Sequence, residues 1–323
     1  MKWLKKVRHL VKPKIRMLFC RDYQGYTGGH QKYYDYYQHI STHPAFSTFL
    51  HFSDASFRDA SCPWSPEEMA QSVDFNTTEY DALFVAGTDW RNVPEDDTTP
   101  VINLIQHVRH AEPNTELYSY LSRPAMRLCV SAEVEQAIRK TGNVNGPIIT
   151  VPNGHNIDVK STDTQYSNTL FILGMKQPTL CNELEKMLFS SMYEVIACPK
   201  KIPREDVLSI MGNTKISVLL PDPTEGYYLP ALEAMANSAV ALVPDCVGNR
   251  TFCKHLYNCM MPKSYTAEGI LQCIDDYERL SEEKKREIQL NARATALSNS
   301  IDKERTRVHE LLDNWLKESH HAN

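Results

Sequence analysis

The sequence has no long apolar segment. No stretch reaches the roughly 18 consecutive apolar residues that a helix needs to cross a bilayer. The apolar residues near the N-terminus do not form a continuous secretory core either, because basic residues interrupt them at Lys5, Lys6, Arg8 and Lys12. We therefore expect neither a membrane-spanning helix nor a secretory signal.

Paired cysteines are also missing. The nine cysteines are scattered singly, their number is odd, and no C-x-x-C occurs. This pattern offers neither the ligand spacing of a zinc site nor a disulfide framework, so we expect reduced, packed thiols in a cytosolic protein.

A formal net charge of −5 argues against general binding to nucleic acid. With 42% hydrophobic and 23% charged residues, the composition is typical of globular proteins.

The charge is unevenly distributed, because residues 1–16 contain seven Lys or Arg and no acidic residue. Trp3, Leu4, Val7, Leu10 and Val11 would share one side of a helix there, opposite the basic residues. A basic amphipathic helix is typical of proteins that bind the surface of an anionic membrane. The alternative is a solvated tail whose apolar residues rest on the protein itself.

Ten short apolar runs alternate with helical stretches, which predicts an α/β fold with parallel sheets. The runs are residues 16–23, 47–54, 81–87, 100–108, 127–131, 148–154, 169–174, 193–199, 216–223 and 239–245. A polar segment without periodicity, residues 158–169, lies between the sixth and seventh runs and is interpreted as a linker.

The length of 323 residues and this linker predict two domains. We place the first at residues 1–157 and the second at 158–302. The last segment, 301–318, carries Val308, Leu311, Leu312 and Trp315 at helical spacing. It is predicted to be an amphipathic helix that covers an apolar surface, and we assign about 303–323 to the first domain.

Two glutamates, Glu225 and Glu233, lie on either side of a turn and the start of a predicted helix. Pro230 suits the first turn of that helix, because the N–H that proline lacks would have no partner there. The N–H groups of residues 226–229 are then expected to be uncommitted and to bind phosphate or sugar oxygens at the helix N-terminus. The carboxylates would accept hydrogen bonds from the hydroxyls of a ribose or a hexose.

The segment EGYYLPALEAMANSAVALVPDCVGN resembles the E-x7-E region of retaining GT-B glycosyltransferases, especially glycosyltransferase family 4. VPNGHNID, residues 151–158, is similar to another motif of that family. The resemblance implies two Rossmann-like domains whose parallel sheets face a central cleft. It also implies a nucleotide-sugar donor linked to UDP or GDP, no metal ion and no further cofactor.

The resemblance assigns roles to individual residues of the second domain. Glu225 would contact the hydroxyls of the donor sugar and Glu233 those of the ribose. The backbone of Gly226, Tyr227, Tyr228 and Leu229 would line the donor site. The terminal helix would cross back onto the first domain.

Two positions depart from the family pattern. Tyr228 stands where the family usually has a second glycine, and Met175 stands where it usually has an arginine after the first strand of the second domain. A leaving diphosphate needs its charge neutralised. Lys176 is the leading candidate for that role, and Lys200, Lys201, Arg204 and Arg250 are alternatives.

The first domain offers weaker signals. Gly28 and Gly29 precede a tyrosine-rich helix and would let backbone approach the donor phosphates or the acceptor. His107, near the end of a predicted strand, is either a ligand of the transferred sugar, as the resemblance implies, or a packed core histidine. Asp89 is a second polar candidate on the acceptor side, and His30 and Lys32 are either ligands or solvated helix residues.

These features favour a glycosyltransferase that moves a sugar from a nucleotide to a hydroxyl of a glycan or a lipid-linked acceptor, in surface polysaccharide biosynthesis. Residues 1–16 would hold it at the inner face of the membrane. The alternatives are a nucleotide-sugar epimerase and a catalytically degenerate domain that serves as a partner subunit or binds glycans.

Overall fold

The computed structural model describes residues 13–321. The helix predicted for residues 1–16 therefore lies outside the described residues, apart from 13–16. The chain divides into two units. The first contains the residues up to Val151 and those from Arg305 onward, and the second runs from Pro152 to Glu304.

The first unit is built on a parallel sheet. Its strands are β1 (Ile15–Arg21), β2 (Phe46–Phe52), β3 (Ala82–Ala86), β4 (Val101–Ile105), β5 (Met126–Cys129) and β6 (Ile148–Thr150). They are arranged in the order β2-β1-β3-β4-β5-β6. Strands β3 and β4 are buried along their whole length, because helices cover both faces of such a sheet, and they therefore read as continuous apolar runs.

The helices of the first unit are α1 (Gly28–Ser41), α2 (Pro66–Ala70), α3 (Glu116–Ser119) and α4 (Ala132–Lys140). Helix α1 is fixed over the centre of the sheet by Tyr33. The hydroxyl of this fully buried side chain lies 2.7 Å from the carbonyl oxygen of Cys20 in β1 and 2.7 Å from that of Phe84 in β3. The N-terminus of α1 is thereby held near the ends of these two strands.

The second unit has a four-stranded parallel sheet. Its strands are β7 (Ser167–Leu173), β8 (Glu194–Cys198), β9 (Thr214–Leu219) and β10 (Val240–Leu242), in the order β10-β9-β7-β8. The surrounding helices are α5 (Pro178–Met187), α6 (Arg204–Asn213), α7 (Leu229–Asn237), α8 (Ala267–Glu278) and α9 (Glu282–Ser298). All ten predicted runs form strands, and every strand pair is parallel, so the α/β prediction is confirmed.

The segment predicted as a linker, residues 158–169, is tied to the second unit. Residues 167–169 belong to strand β7. The backbone N–H of Lys160 donates to Ala236 over 3.0 Å, and its ammonium donates to the carbonyl of Gly212 over 2.6 Å. Lys160 and residues 167–169 therefore belong to the folded second unit and not to a linker, which the polar composition of the segment does not show.

The chain ends in helix α10 (Ile301–His321). Val308, Leu311 and Leu312 are buried, as the helical spacing predicts. Trp315 stacks on Phe46 of the first unit, with the ring centres 6.2 Å apart. Nε2 of His309 lies 2.8 Å from the carbonyl oxygen of His39. The C-terminal part of α10 thus completes the core of the first unit.

Candidate functional site

The segment with the two glutamates has the predicted framework. Strand β9 leads into a turn, and α7 begins at Leu229 with Pro230 in its first turn. From Ala231 to Asn237 every residue of α7 is buried, which makes this helix a rigid support. Glu225 therefore lies in the turn before α7, and Glu233 lies within the helix.

Glu225 and Lys176 form an ion pair. Nζ of Lys176 lies 3.3 Å from Oε2 of Glu225, and the two side chains are 46% and 28% exposed. Lys176 belongs to the turn between β7 and α5, so the structure brings together two predicted site residues from the ends of adjacent strands. An ion pair with this exposure contributes about 0–1 kcal/mol to stability, so its two side chains can separate at a small cost in free energy.

Gly248 packs against the turn that carries Glu225. A Cβ atom at position 248 would lie 2.4 Å from the nitrogen of Tyr227 and 2.6 Å from the carbonyl oxygen of Glu225. Only glycine permits this approach of the loop that follows β10. The glycine of the sequence DCVG, residues 245–248, therefore has a steric function in this structure.

The backbone prediction for the helix N-terminus is wrong at Tyr228. Its N–H donates to the carbonyl of Gly248 over 3.3 Å, so it is committed within the protein. The ring of Tyr228 is buried, and this burial raises its pKa well above the usual value. Tyr227 is buried as well, with its hydroxyl 3.4 Å from Oδ1 of Asn299. Both side chains thus anchor the turn, a role that the sequence pattern does not reveal.

Glu233 is held by Arg204. Both Nε and Nη2 of Arg204 donate to Oε1 of this buried carboxylate, over 3.0 and 2.7 Å. Nη2 also lies 3.1 Å from Oδ1 of Asn156. Arg204 was predicted as an alternative cation for the leaving diphosphate, but in the structure its guanidinium donates hydrogen bonds to Glu233. Arg250, another alternative, pairs with Asp245 at 2.6 Å.

A groove of about 440 Å³ lies beside Arg204 in the second unit. Neither Glu225 nor Lys176 lines it, so it is separate from their ion pair. The lining residues are Asn156, Ile157, Asp158, Val159, Lys160, Arg204, Leu208 and Asn237.

In the first unit, Gly28 and Gly29 form the start of α1. Nε2 of Gln106 donates to the carbonyl of Gly29 over 3.2 Å, which joins this turn to the segment after β4. Because the strands are parallel, both segments lie at the carboxyl end of the sheet, where open α/β sheets bind ligands.

His107 follows β4 and is partly exposed, so it is not a packed core histidine. Its Nδ1 accepts a hydrogen bond from the N–H of Arg109 over 3.0 Å, which caps the short helical turn over Val108–Ala111. The buried histidine of this segment is His110, whose pKa burial lowers to about 3.

One polar cluster in the first unit was not predicted from the sequence. Arg21, at the end of β1, pairs with the fully buried Asp89 at 2.7 Å and donates from Nε to Nδ1 of His30 over 3.0 Å. Burial raises the pKa of Asp89 to about 6, although Arg21 opposes this shift. The available signal was the position of Arg21 and Asp89 at the ends of the first and third β-rich runs.

Across residues 13–321, no group of three or more His, Cys, Asp or Glu side chains is arranged to hold a metal ion. In the same part of the chain, no helix combines the length and apolar character needed to cross a bilayer.

Comparison with known proteins gives structural but not sequence relatives. No protein-family model matches the chain, and no curated protein matches it. Sucrose-phosphate synthase from Thermosynechococcus elongatus is similar in structure, with a TM-score of 0.68, 10% identity, and coverage of 94% of this chain and 99% of that one.

Two further structures have comparable similarity. HepE from Anabaena, in complex with UDP-glucose, has a TM-score of 0.66 and 13% identity, covering 93% of this chain and 100% of that one. A glycosyltransferase from Rickettsia africae has a TM-score of 0.61 and 11% identity, covering 95% and 100%. With its two parallel sheets and surrounding helices, the chain has the α/β GT-B fold of these neighbours.

Proposed function

We propose that the protein is a retaining, metal-independent glycosyltransferase of the family 4 type. It would transfer a hexosyl group from a UDP- or GDP-linked donor to a hydroxyl of a glycan or lipid-linked acceptor. The observation that carries this proposal is the ion pair of Lys176 and Glu225 at the turn before α7. Retention and independence of metal are inferred from the resemblance of the E-x7-E segment.

In this proposal the ion pair exchanges partners when the donor binds. The diphosphate attracts the ammonium of Lys176 more strongly than one carboxylate does, and Lys176 then stabilises the charge that develops on the leaving group. Glu225 is released to accept hydrogen bonds from the hydroxyls of the donor sugar. Because the pair is partly exposed, the exchange requires little energy.

Glu233 is proposed to bind the ribose. Arg204 occupies Oε1 of its carboxylate, and among the hydrogen bonds of residues 13–321 none ends on Oε2. Oε2 would accept from a ribose hydroxyl while Arg204 keeps the carboxylate oriented. The N-terminal backbone of α7 is proposed to contact the same donor. In the first unit, Gly28 and Gly29 are proposed to contact a phosphate or the acceptor, and His107 is proposed to contact a sugar hydroxyl.

The first experiment measures binding of UDP and GDP by calorimetry to the wild type and to Lys176→Met. We expect the variant to bind at least tenfold more weakly, because a cation next to the diphosphate is lost. Lys215→Met is the control, since Lys215 also pairs with a glutamate of the same unit, Glu278 at 3.0 Å, although it is less exposed than Lys176. Equal weakening in both variants, or no nucleotide binding by the wild type, would overturn the proposal.

A catalytically degenerate domain is the second candidate. It is favoured by Met175, which is 39% exposed at the position where the resemblance implies an arginine. Such a domain would bind UDP or GDP, or a glycan, without releasing sugar. Donor hydrolysis measured on the same preparations separates the two candidates.

The setting of the reaction is also part of the proposal. The acceptor would be a surface polysaccharide precursor at the inner face of the membrane, and the basic residues 1–16 would provide peripheral contact with anionic lipid.

A further inference from the structure

Strand β8 forms an open edge of the sheet in the second unit. Among the strands of residues 13–321, only β7 pairs with it. The carbonyl of Cys198 accepts a hydrogen bond from the N–H of Gly174 over 3.0 Å, so Cys198 faces β7. Because successive residues of a strand direct their backbone groups to opposite sides, Val195 and Ala197 direct their N–H and C=O groups away from the sheet. Such groups are a template for pairing with another strand.

Other edges of the two sheets are covered or short. Beside β10, the N–H of Met260 donates to the carbonyl of Ala241 over 2.9 Å. Beside β2, the N–H of Val73 donates to the carbonyl of Leu50 over 2.8 Å. Strand β6 is only three residues long. Covering and shortening protect sheet edges against pairing with another chain, and the five-residue strand β8 has neither protection within residues 13–321.

Exposed apolar side chains lie directly before β8. Met187, Phe189 and Met192 are 46%, 89% and 70% exposed. Aromatic residues and methionine are enriched in protein–protein interfaces, and a group of exposed apolar side chains marks a surface that another molecule covers. This apolar segment and the open edge are consecutive in the chain, so one partner reaches both.

The segment fits a second copy of the chain in one register. A two-fold axis at Ile196 sets Val195 of each copy opposite Ala197 of the other, so that the outward backbone groups pair. An axis at Ala197 would set Val195 opposite Pro199, which has no N–H to donate. An axis at Val195 would place the two Glu194 side chains diagonally on one face, where their like charges repel.

Charge complementarity supports the register centred on Ile196. In this register Glu194 of one copy lies diagonal to Lys200 of the second copy, and both side chains are exposed. Diagonal neighbours are roughly 7–8 Å apart, which is within reach of long side chains. The two-fold axis forms this pair twice, so the edge is complementary in charge to itself. A second copy therefore fits the edge better than an anionic membrane, which Glu194 would repel.

We propose that two copies of the chain form a dimer by antiparallel pairing of their β8 strands. The pairing joins the four-stranded sheets of the two second units into one continuous sheet. Phe189 and Met192 of each copy pack against residues 199–203 of the second copy, which covers the exposed apolar segment. The dimer goes beyond the proposed function and does not depend on it.

Sedimentation velocity of the full chain at micromolar concentration measures the association, and the wild type should sediment as a dimer. Glu194→Lys should dimerise at least tenfold more weakly, because two attractive pairs with Lys200 become repulsive. The double variant Glu194→Lys with Lys200→Glu restores opposite charges and should recover dimerisation. Glu283→Lys is the matched control, because Glu283 is also exposed but lies in α9, which contacts β10 at the other edge of the sheet.

Amide hydrogen exchange identifies the strand that pairs. At the same protein concentration, the N–H groups of Val195 and Ala197 should exchange more slowly in the wild type than in Glu194→Lys. A monomeric wild type, the result expected if another protein or a membrane covers this edge, would overturn the inference. Equal dimerisation of Glu194→Lys and Glu283→Lys, no recovery in the double variant, or unchanged exchange of the two amides would overturn it as well.

Discussion

Gly248 lies so close to Tyr227 that a Cβ atom at position 248 would be 2.4 Å from the Tyr227 nitrogen. The loop after β10 thereby supports the turn that carries Glu225. The two parts of the E-x7-E region pack closely here because Gly248 has no side chain, and not because two side chains interact.

Gly248→Ala should therefore destabilise the protein and displace Glu225. Because the overlap is with backbone atoms, the turn has to shift, and we expect a loss of about 1–3 kcal/mol in the free energy of unfolding. Urea denaturation measures this loss, and calorimetry with UDP measures the accompanying loss of affinity. Gly28→Ala is the control for stability, since a Cβ atom at Gly28 meets no atom within 4 Å. Equal stability of the two variants would contradict the steric argument.

Replacing Glu225 or Glu233 by alanine should abolish most turnover. In the proposed mechanism Glu225 orients the transferred sugar and Glu233 the ribose, so each loss removes hydrogen bonds that place the donor. We expect at least a tenfold decrease in kcat/KM for donor hydrolysis or transfer in each variant. If both variants keep wild-type turnover, the assignment of the site is wrong.

Arg204→Met should weaken nucleotide binding and stability together. It leaves the buried carboxylate of Glu233 without its charge partner, which we expect to destabilise the second unit by about 1–3 kcal/mol. The double variant with Glu233→Gln should lose less than the sum of the single variants, because the two residues interact directly. Additive losses, measured by urea denaturation, would show that the ion pair does not orient Glu233.

Stability should fall at mildly acidic pH because of His110. Burial lowers its pKa to about 3, with the nearby His107, Arg127 and Arg109 acting in the same direction. The unfolded chain takes up a proton below a pH of about 6.5 while the folded chain does not, so the contribution is complete above that pH and is lost as the pH falls towards 3.

The measurement compares urea denaturation at pH 7.5 and 5.5 in the wild type and in His110→Gln. The wild type should lose about 1 kcal/mol more than the variant over this range. The comparison between variants is needed because Asp89, whose pKa is raised to about 6, titrates over the same range with the opposite sign. Parallel losses in the two proteins would show that His110 does not carry the effect.

The basic N-terminal segment should bind anionic vesicles. Residues 1–16 contain seven Lys or Arg, and each such residue near an anionic surface contributes about 1 kcal/mol at low salt. Sedimentation with vesicles that contain phosphatidylserine should decrease with added salt and after deletion of residues 1–14. Unchanged partitioning of the deletion variant would exclude this segment as the membrane contact.

The local features of the protein followed from the sequence. The ten strands and the place of Pro230 in the first turn of α7 were predicted, because apolar runs and proline determine the local conformation of the backbone. The E-x7-E spacing likewise identified the turn with Glu225, since the strand, turn and helix are consecutive in the chain. The GT-B fold implied by this resemblance is confirmed by the structural neighbours.

Only the tertiary structure decided the partners of the charged residues. Glu225 pairs with Lys176, Glu233 with Arg204, and Asp89 with Arg21. The members of each pair are far apart in the chain and lie in or next to different strands and helices, so strand order and helix packing bring them together. Composition and periodicity carry no information on such distant contacts, and for this reason the sequence did not reveal the hydrogen bond from Arg21 to His30 or that from the Tyr228 N–H to Gly248.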